Sequence, residues 1–229
     1  MTFKLTWLGH ASFALDIDGT KVLLDPSLTG MPTAAARPET LEADVILVSH
    51  GHGDHIGDVV DIAKRTGALV ISNFEICGWL QSHDVTNTHP QHIGGGFQHD
   101  FGYVKLTIAH HGSMLPDGSY GGNPCGFLIR TNSGHKVYFA CDTGLFMSMK
   151  LYGEEGLDLA VLPIGDNFTM GPDDALRAVE LLEPKVVIPV HFGTWPNIEQ
   201  DAEAWVKRVN QTTPCRAVLL KPGDTYTLE

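Results

Sequence analysis

Asp44-Val-Ile-Leu-Val-Ser49 runs without a break into His50-Gly51-His52-Gly53-Asp54-His55. The first part is a short apolar run rich in β-branched side chains, the pattern of a strand buried on both faces. The second part sets His50, His52, Asp54 and His55 on one turn at the strand's carboxyl end, where Gly51 and Gly53 permit tight folding. Neutral imidazole and carboxylate are the usual ligands of zinc and related divalent ions, so this turn reads as the opening of a metal site.

So short a run cannot complete a site, and other strand ends supply the missing ligands. The apolar stretch Val104 to Ala109 ends in His110-His111-Gly112-Ser113, Val137 to Ala140 ends in Cys141-Asp142-Thr143, and Val186 to Val190 ends in His191-Phe192-Gly193. Incidental polar residues would be scattered over both ends of the strands and over the helices. Recurrence at carboxyl ends predicts convergence on one edge of the fold. The doublet leaves His110 and His111 both open as the ligand from its strand.

Around these ends the chain opens with a strand meander (3 to 8, 12 to 17 and 21 to 24, with Asp18-Gly19 as the hairpin turn). A Pro- and Ala-rich loop, Thr29 to Glu42, leads into the buried strand. Helical spacing over Asp58 to Thr66 and Phe74 to Gln81 brackets a strand at Ala68 to Ser72. Strands at Tyr103 to Ala109 and Gly126 to Thr131 flank a Gly-rich loop, Gly112 to Gly122, long enough to expect function in it. The second half alternates strand and helix: Lys136 to Ala140, Leu145 to Tyr152, Leu157 to Leu162, Pro172 to Leu182 and Lys185 to Val190. A helix at Glu199 to Asn210 and strands at Ala217 to Leu220 and Thr225 to Leu228 close the chain. Two similar halves, each a sheet with helices outside, are the expected architecture, and 229 residues fit one domain spanning 1 to 229.

Composition narrows the class. At 43% hydrophobic and 18% charged residues the chain has the balance of a soluble globular protein, with no run long enough to cross a bilayer. The first residues, already strand-like, lack a secretory pattern. Four scattered cysteines without a Cys-x-x-Cys pair suit reduced thiols in a cytoplasm. A formal net charge of −12 without a basic stripe argues against nucleic acid as a partner. Of the 12 histidines, all but His191 precede Lys136, an asymmetry that points to chemistry.

Taken in order, the motifs resemble those of the metallo-β-lactamase superfamily, whose His-x-His-x-Asp-His run is followed by a His, an Asp and a final His. Trp7-Leu-Gly-His10-Ala, Asp25-Pro, Leu162-Pro-Ile-Gly-Asp166-Asn167-Phe-Thr-Met170-Gly-Pro172 and Ile188-Pro-Val-His191 are similar to a bacterial branch of it. That branch holds predicted metal-dependent hydrolases and relatives of ascorbate-6-phosphate lactonase. The resemblance implies an α/β fold, a four-layer αββα sandwich. It implies a first metal on His50, His52 and His111, a second on Asp54, His55 and His191, and Asp142 bridging the two. One departure is Cys141, where the residue before the bridging Asp is often small; a buried, inert thiol is the expectation.

The function implied is hydrolysis of an ester, lactone, amide or phosphodiester bond of a small metabolite. Hydroxide held by a dinuclear centre of zinc or manganese would be the nucleophile, with Asp54 orienting the water. His10 is a candidate catalytic proton donor. His110, Asp166, Asn167, His89 and His92 are candidates for substrate contact or for orienting a ligand. Self-association into a homo-oligomer also follows from the resemblance. The alternatives are an iron-dependent redox enzyme on the same scaffold and a phosphodiesterase acting on nucleic acid.

Overall fold

In the computed structural model, which describes residues 2–228, the opening meander is β1 (Phe3–Gly9), β2 (Ser12–Ile17) and β3 (Thr20–Leu24). Next come β4 (Val45–Leu47), α1 (Gly53–Ile56), α2 (Val59–Thr66), β5 (Leu69–Asn73), α3 (Phe74–Ser82) and β6 (Thr88–Gln91). The second half contains β7 (Gly96–His99), β8 (Gly102–Ile108), β9 (Cys125–Thr131), β10 (Lys136–Phe139), α4 (Met149–Gly153), β11 (Leu159–Pro163) and α5 (Pro172–Leu182). It ends with β12 (Val186–Val190), α6 (Ala202–Thr212), β13 (Arg216–Ala217) and β14 (Thr225–Leu228). The strands form two seven-stranded sheets, in the orders β14-β1-β2-β3-β4-β5-β6 and β13-β12-β11-β10-β9-β8-β7.

Side-chain alternation explains the layering. In β10, Val137 and Phe139 enter the core between the sheets, while Tyr138 and Ala140 turn outward against α4, α5 and α6. In the first sheet Val45 and Leu47 face inward, while Ile46 and Val48 meet the core beneath α2 and α3. Phe13 and Phe139 meet across the sandwich with ring centroids 5.7 Å apart. Truncating either to Ala would cost about 3–5 kcal/mol. The order helix, sheet, sheet, helix is the four-layer αββα sandwich expected.

Strand direction then positions the site. β3 to β6 run parallel to one another, as do β10 to β13. β1 and β8 each reach their parallel set through one intervening antiparallel strand, so they point the same way as β3 and β10. Within each sheet, every strand that ends in a candidate ligand therefore delivers it to the same edge.

Several details depart from the sequence reading, each for a tertiary reason. β6 carries Pro90 and no apolar alternation; it exists as an edge strand held by parallel pairing to β5. The second half of the ligand run, Asp54 and His55, lies on the short helix α1, hidden because its residues are chosen for chemistry. α6 begins at Ala202, because Asp201 caps it by accepting from the Ala204 amide at 2.8 Å. α4 starts at Met149, which leaves residues 145–148 as loop. β14 returns to pair with β1 and completes the first sheet, a long-range choice that no local pattern encodes. Among the described residues no helix is long and apolar enough to cross a membrane.

Where the edge strands β6 and β7 of the two sheets approach each other, a histidine pair lies away from the ligand strand ends. His89 sits in β6 against Phe97 at 4.4 Å and His99 at 4.8 Å, and His99 also stacks on Phe101 at 5.7 Å. Burial, reinforced by His89, lowers the His99 pKa to about 4, and its Nε2 has no hydrogen-bond partner. Between pH 6.5 and 4 the unfolded chain therefore binds a proton that the folded chain refuses, so this residue's contribution to stability is complete above that window and is lost as pH falls through it. His99→Leu is expected to flatten the fall of Tm over that range, measured by thermal melts at stepped pH; an unchanged slope would remove His99 from the account.

Candidate metal centre

Beyond β4 the chain turns at Gly51 and enters α1 with Asp54 and His55 in its first turn. His52 Nδ1 lies 3.1 Å from His50 Nε2 and 3.2 Å from His111 Nε2. These atoms form one convergent triplet. On the other side, Asp142 Oδ2 lies 3.0 Å from His191 Nε2 and 3.3 Å from His55 Nε2. The same oxygen is 3.5 Å from His111 Nε2, so it stands between the two groups. Asp54 Oδ2 is 3.9 Å from His55 Nε2, and Asp54, His55, His191 and His10 bring ligand atoms within 4.8 Å of one another.

The donor set fits divalent cations. His55 Nε2, both ring nitrogens of His191 and Asp142 Oδ1 are buried without a hydrogen-bond partner, although buried polar atoms are nearly always paired. Lone pairs aimed at one another are repulsive until a cation lies between them. Burial keeps His50 neutral, its pKa well below the ordinary value. For Asp142 burial opposes ionisation, but His191 and His55 outweigh it and hold the carboxyl well below its usual range. In the metal-free chain, against the penalty of burial, Asp142 and Asp25 keep a proton on His55.

Asp25 was quoted in the sequence only as part of a family pattern, and the structure gives it a specific place. Wholly buried after β3, it accepts from the Ser49 amide at 2.7 Å, the Ser49 hydroxyl at 2.5 Å and His55 Nδ1–H at 2.8 Å. His50 Nδ1–H in turn donates to Ser49 Oγ at 2.9 Å. Both imidazoles are thereby locked with Nε2 toward the cluster. Asp25 lies within ligand distance of His50 and His55, but its oxygens are already taken by these donors, which makes it an orienting group. The readable signal was an Asp directly after an apolar strand, the same arrangement as the other ligand ends.

His10 has a carboxylate partner rather than a nitrogen free for substrate. Its Nε2–H donates to Asp54 Oδ2 at 3.2 Å, and its Nδ1 accepts from Thr194 Oγ1 at 2.8 Å. Burial lowers its pKa to about 4 despite the pull of Asp54, so at neutral pH it is an uncharged donor. In this arrangement it holds Asp54, and its ring is one of the four groups whose ligand atoms converge there. Asp54, for which burial opposes ionisation, is kept below the usual carboxylate range by His10 and His55.

Of the doublet, His111 reaches the cluster. His110 is exposed and stacks on Phe146 at 5.0 Å, while its amide donates to Thr143 Oγ1. Asp166 and Asn167 are exposed beyond β11, and Asp166 spends its carboxylate on the Asn167 amide at 2.8 Å, which is turn chemistry. His89 is occupied at the β6–β7 edge and His92 stacks on Phe74 at 6.1 Å; neither joins the cluster. Cys141 is partly buried, its thiol pushed up by burial, and belongs to neither ligand group.

A family model described as a beta-lactamase superfamily domain matches residues 20–192. The chain belongs to this superfamily. Within it, a protein named UPF0173 metal-dependent hydrolase from Carboxydothermus hydrogenoformans is 52% identical over 228 residues, covering 98% of this chain and 100% of the relative. Another of that name from Pelotomaculum thermopropionicum is 48% identical over 230 residues, again covering 98% and 100%. These matches place the chain in that family of metal-dependent hydrolases. Igni18, a metallo hydrolase from Ignicoccus hospitalis KIN4/I, has the same fold with a TM-score of 0.91 at 35% identity, covering 100% of this chain and 99% of that one.

Two substitutions test how this metallo-β-lactamase centre is built. Asp25→Asn keeps the shape but removes the charge that orients His55, and is expected to weaken metal binding about 10- to 100-fold by competition with a chelator. Gly165→Ala would drive a Cβ into the His191 carbonyl oxygen and set it 3.3 Å from the His191 Nδ1. His191 must then move, and elemental analysis should show lowered metal content; full occupancy would mean the loop yields instead.

Proposed function

We propose that the chain hydrolyses an ester, lactone, amide or phosphodiester bond of a small metabolite at a pair of divalent cations, zinc or manganese. The observation that carries this is Asp142 Oδ2, which stands within 3.5 Å of imidazoles from both ligand groups, the position of a bridge. His50, His52 and His111 would hold one ion, and Asp54, His55 and His191 the other. Such a pair lowers the pKa of a shared water toward neutrality and polarises the oxygen of the scissile group.

The residues divide the remaining work. Side chains of His55, Asp142 and His191 are at most 3% exposed, whereas Asp54 is 26% exposed. Asp54 is therefore the ligating carboxylate that water and substrate reach. Ionised, it accepts a proton or a hydrogen bond on that open side. His10 holds it through one oxygen, and Thr194 fixes the His10 tautomer that makes this possible. Asp25 and Ser49 keep His50 and His55 from rotating, so the site meets its substrate preorganised.

Metal-loaded Asp54→Ala should keep the native fold by circular dichroism, with a Tm lowered only by the metal affinity it forfeits, and lose about 10²- to 10⁴-fold in kcat/KM toward whichever substrate the native chain cleaves. A wild-type rate would remove Asp54 from the chemistry. Elemental analysis of gently purified protein should find about two divalent ions per chain, and a metal-free result would overturn the reading.

A further inference from the structure

Loops from both sheets surround the cluster, and each presents an apolar side chain. The hairpin of residues 113–121 is fastened beside His52 through the Gly51 amide, which donates to Ser113 Oγ, and through Asn73 Nδ2, which donates to the Gly121 carbonyl at 2.7 Å. It carries the cross-strand pair Met114 and Tyr120, 62% and 68% exposed. After Asp142, Phe146 lies against His110 and Met147 is 72% exposed. The loop after β11 is tied to its neighbours by the Met170 amide, which donates to the Thr143 carbonyl, and by the Ile164 amide, which donates to the Val190 carbonyl; it exposes Phe168 at 52%. Trp195 packs edge-on to His10 at 4.8 Å.

Charge on the same loops is one-sided. Segments 25–36, 49–57, 109–124, 141–149, 164–171 and 191–200 contain no Lys or Arg, while Asp117, Asp166 and Glu199 lie among them. The nearest cations along the chain, Arg37 and Lys150, follow these segments and are exposed. A phosphate carried outside the reacting bond is normally held by Arg or Lys, and these loops offer it neither. Exposed apolar side chains gathered at the mouth of a site mark what the site contacts.

We propose that this site takes a small substrate without a phosphate outside the scissile bond, which presents an alkyl or aryl group to the rim of Met114, Tyr120, Met147, Phe168 and Trp195. Sugars and nucleotides that carry a phosphate other than the group cleaved are the wrong class for it. The proposal rests on the metal-hydrolase reading of the cluster and specifies what surrounds the reacting bond.

Alkyl hydroxamates test it, because the hydroxamate head chelates the metals while the tail samples the rim. Titration calorimetry of the metal-loaded chain should show octanohydroxamate binding at least about ten-fold tighter than acetohydroxamate, the gain that two buried methylenes supply. The double variant Met147→Asp, Phe168→Asp alters two exposed positions, so its Tm should hold while that ratio collapses toward one. Hexose 6-phosphate should displace octanohydroxamate no better than inorganic phosphate does. Equal binding of the two hydroxamates, an unchanged ratio in the folded variant, or strong displacement by the sugar phosphate would each overturn the rim proposal and leave the metal-hydrolase reading standing. Failure of both hydroxamates to bind the metal-loaded chain would overturn that reading and this proposal together.

Discussion

Asp25 is a carboxylate with no exposed surface, and a charge in that position is tolerated only where donors surround it. The Ser49 amide, the Ser49 hydroxyl and His55 Nδ1–H provide them. The same contacts tie the end of β3 to the end of β4 and aim two imidazoles inward. Remove the charge and two histidines are free to turn. With Asp54 and Asp142, Asp25 makes a group of three carboxylates set among imidazoles, of which burial holds His10, His50 and His111 below their ordinary pKa. A proton on His55 relieves part of that negative charge in the metal-free chain, and divalent cations would relieve more. Metal binding and fold stability are therefore coupled at this edge.

Backbone conformation bears the cost of bringing the strand ends together. His10, Asp25, Cys141, Asp166 and His191 all have left-handed φ, from 44° to 61°, and each follows a strand directed at the metal edge. For a residue with a Cβ this conformation costs about 1–2 kcal/mol. The strands have to turn sharply there so that side chains project across the gap between the sheets instead of along it. Glycine would relieve the strain, but at His10, Asp25 and His191 it would remove the functional side chain as well. Strain gathered at one edge is the signature of a site the surrounding fold holds in place.

Much of this was readable in the sequence. Strand-end ligands could be recognised because a buried parallel strand is an uninterrupted apolar run, so a His or Asp at its end stands out. The αββα layers followed from two meander-and-crossover halves. The pairing of β14 with β1 and the edge strand β6 were not readable, because both depend on partners distant in sequence. The residues alone leave His110 and His111 open and the family resemblance favours His111; the stacking of His110 on Phe146 and its backbone tie to Thr143 agree with that choice. Asp25 went unassigned because a carboxylate that orients a ligand has the same sequence signature as one that caps a turn. His10 was noticed, but its partner Asp54 is set by the meeting of α1 with the end of β1.

The division between strand ends and loops also explains why family membership names the chemistry before it names the substrate. His50, Asp142 and His191 sit just past the ends of buried strands and His55 is buried on α1, so changing their positions would mean changing the core. Met114, Met147 and Phe168 sit on loops whose side chains are mostly in solvent, where substitution costs the fold little. Chains sharing the whole ligand set can therefore diverge in rim chemistry without loss of stability. A phosphate-binding relative would need only one or two arginines on these loops, and this chain places methionine, phenylalanine and aspartate there instead. Selection between substrates is thus governed by the least costly part of the molecule to alter, and the hydrolytic centre by the most costly.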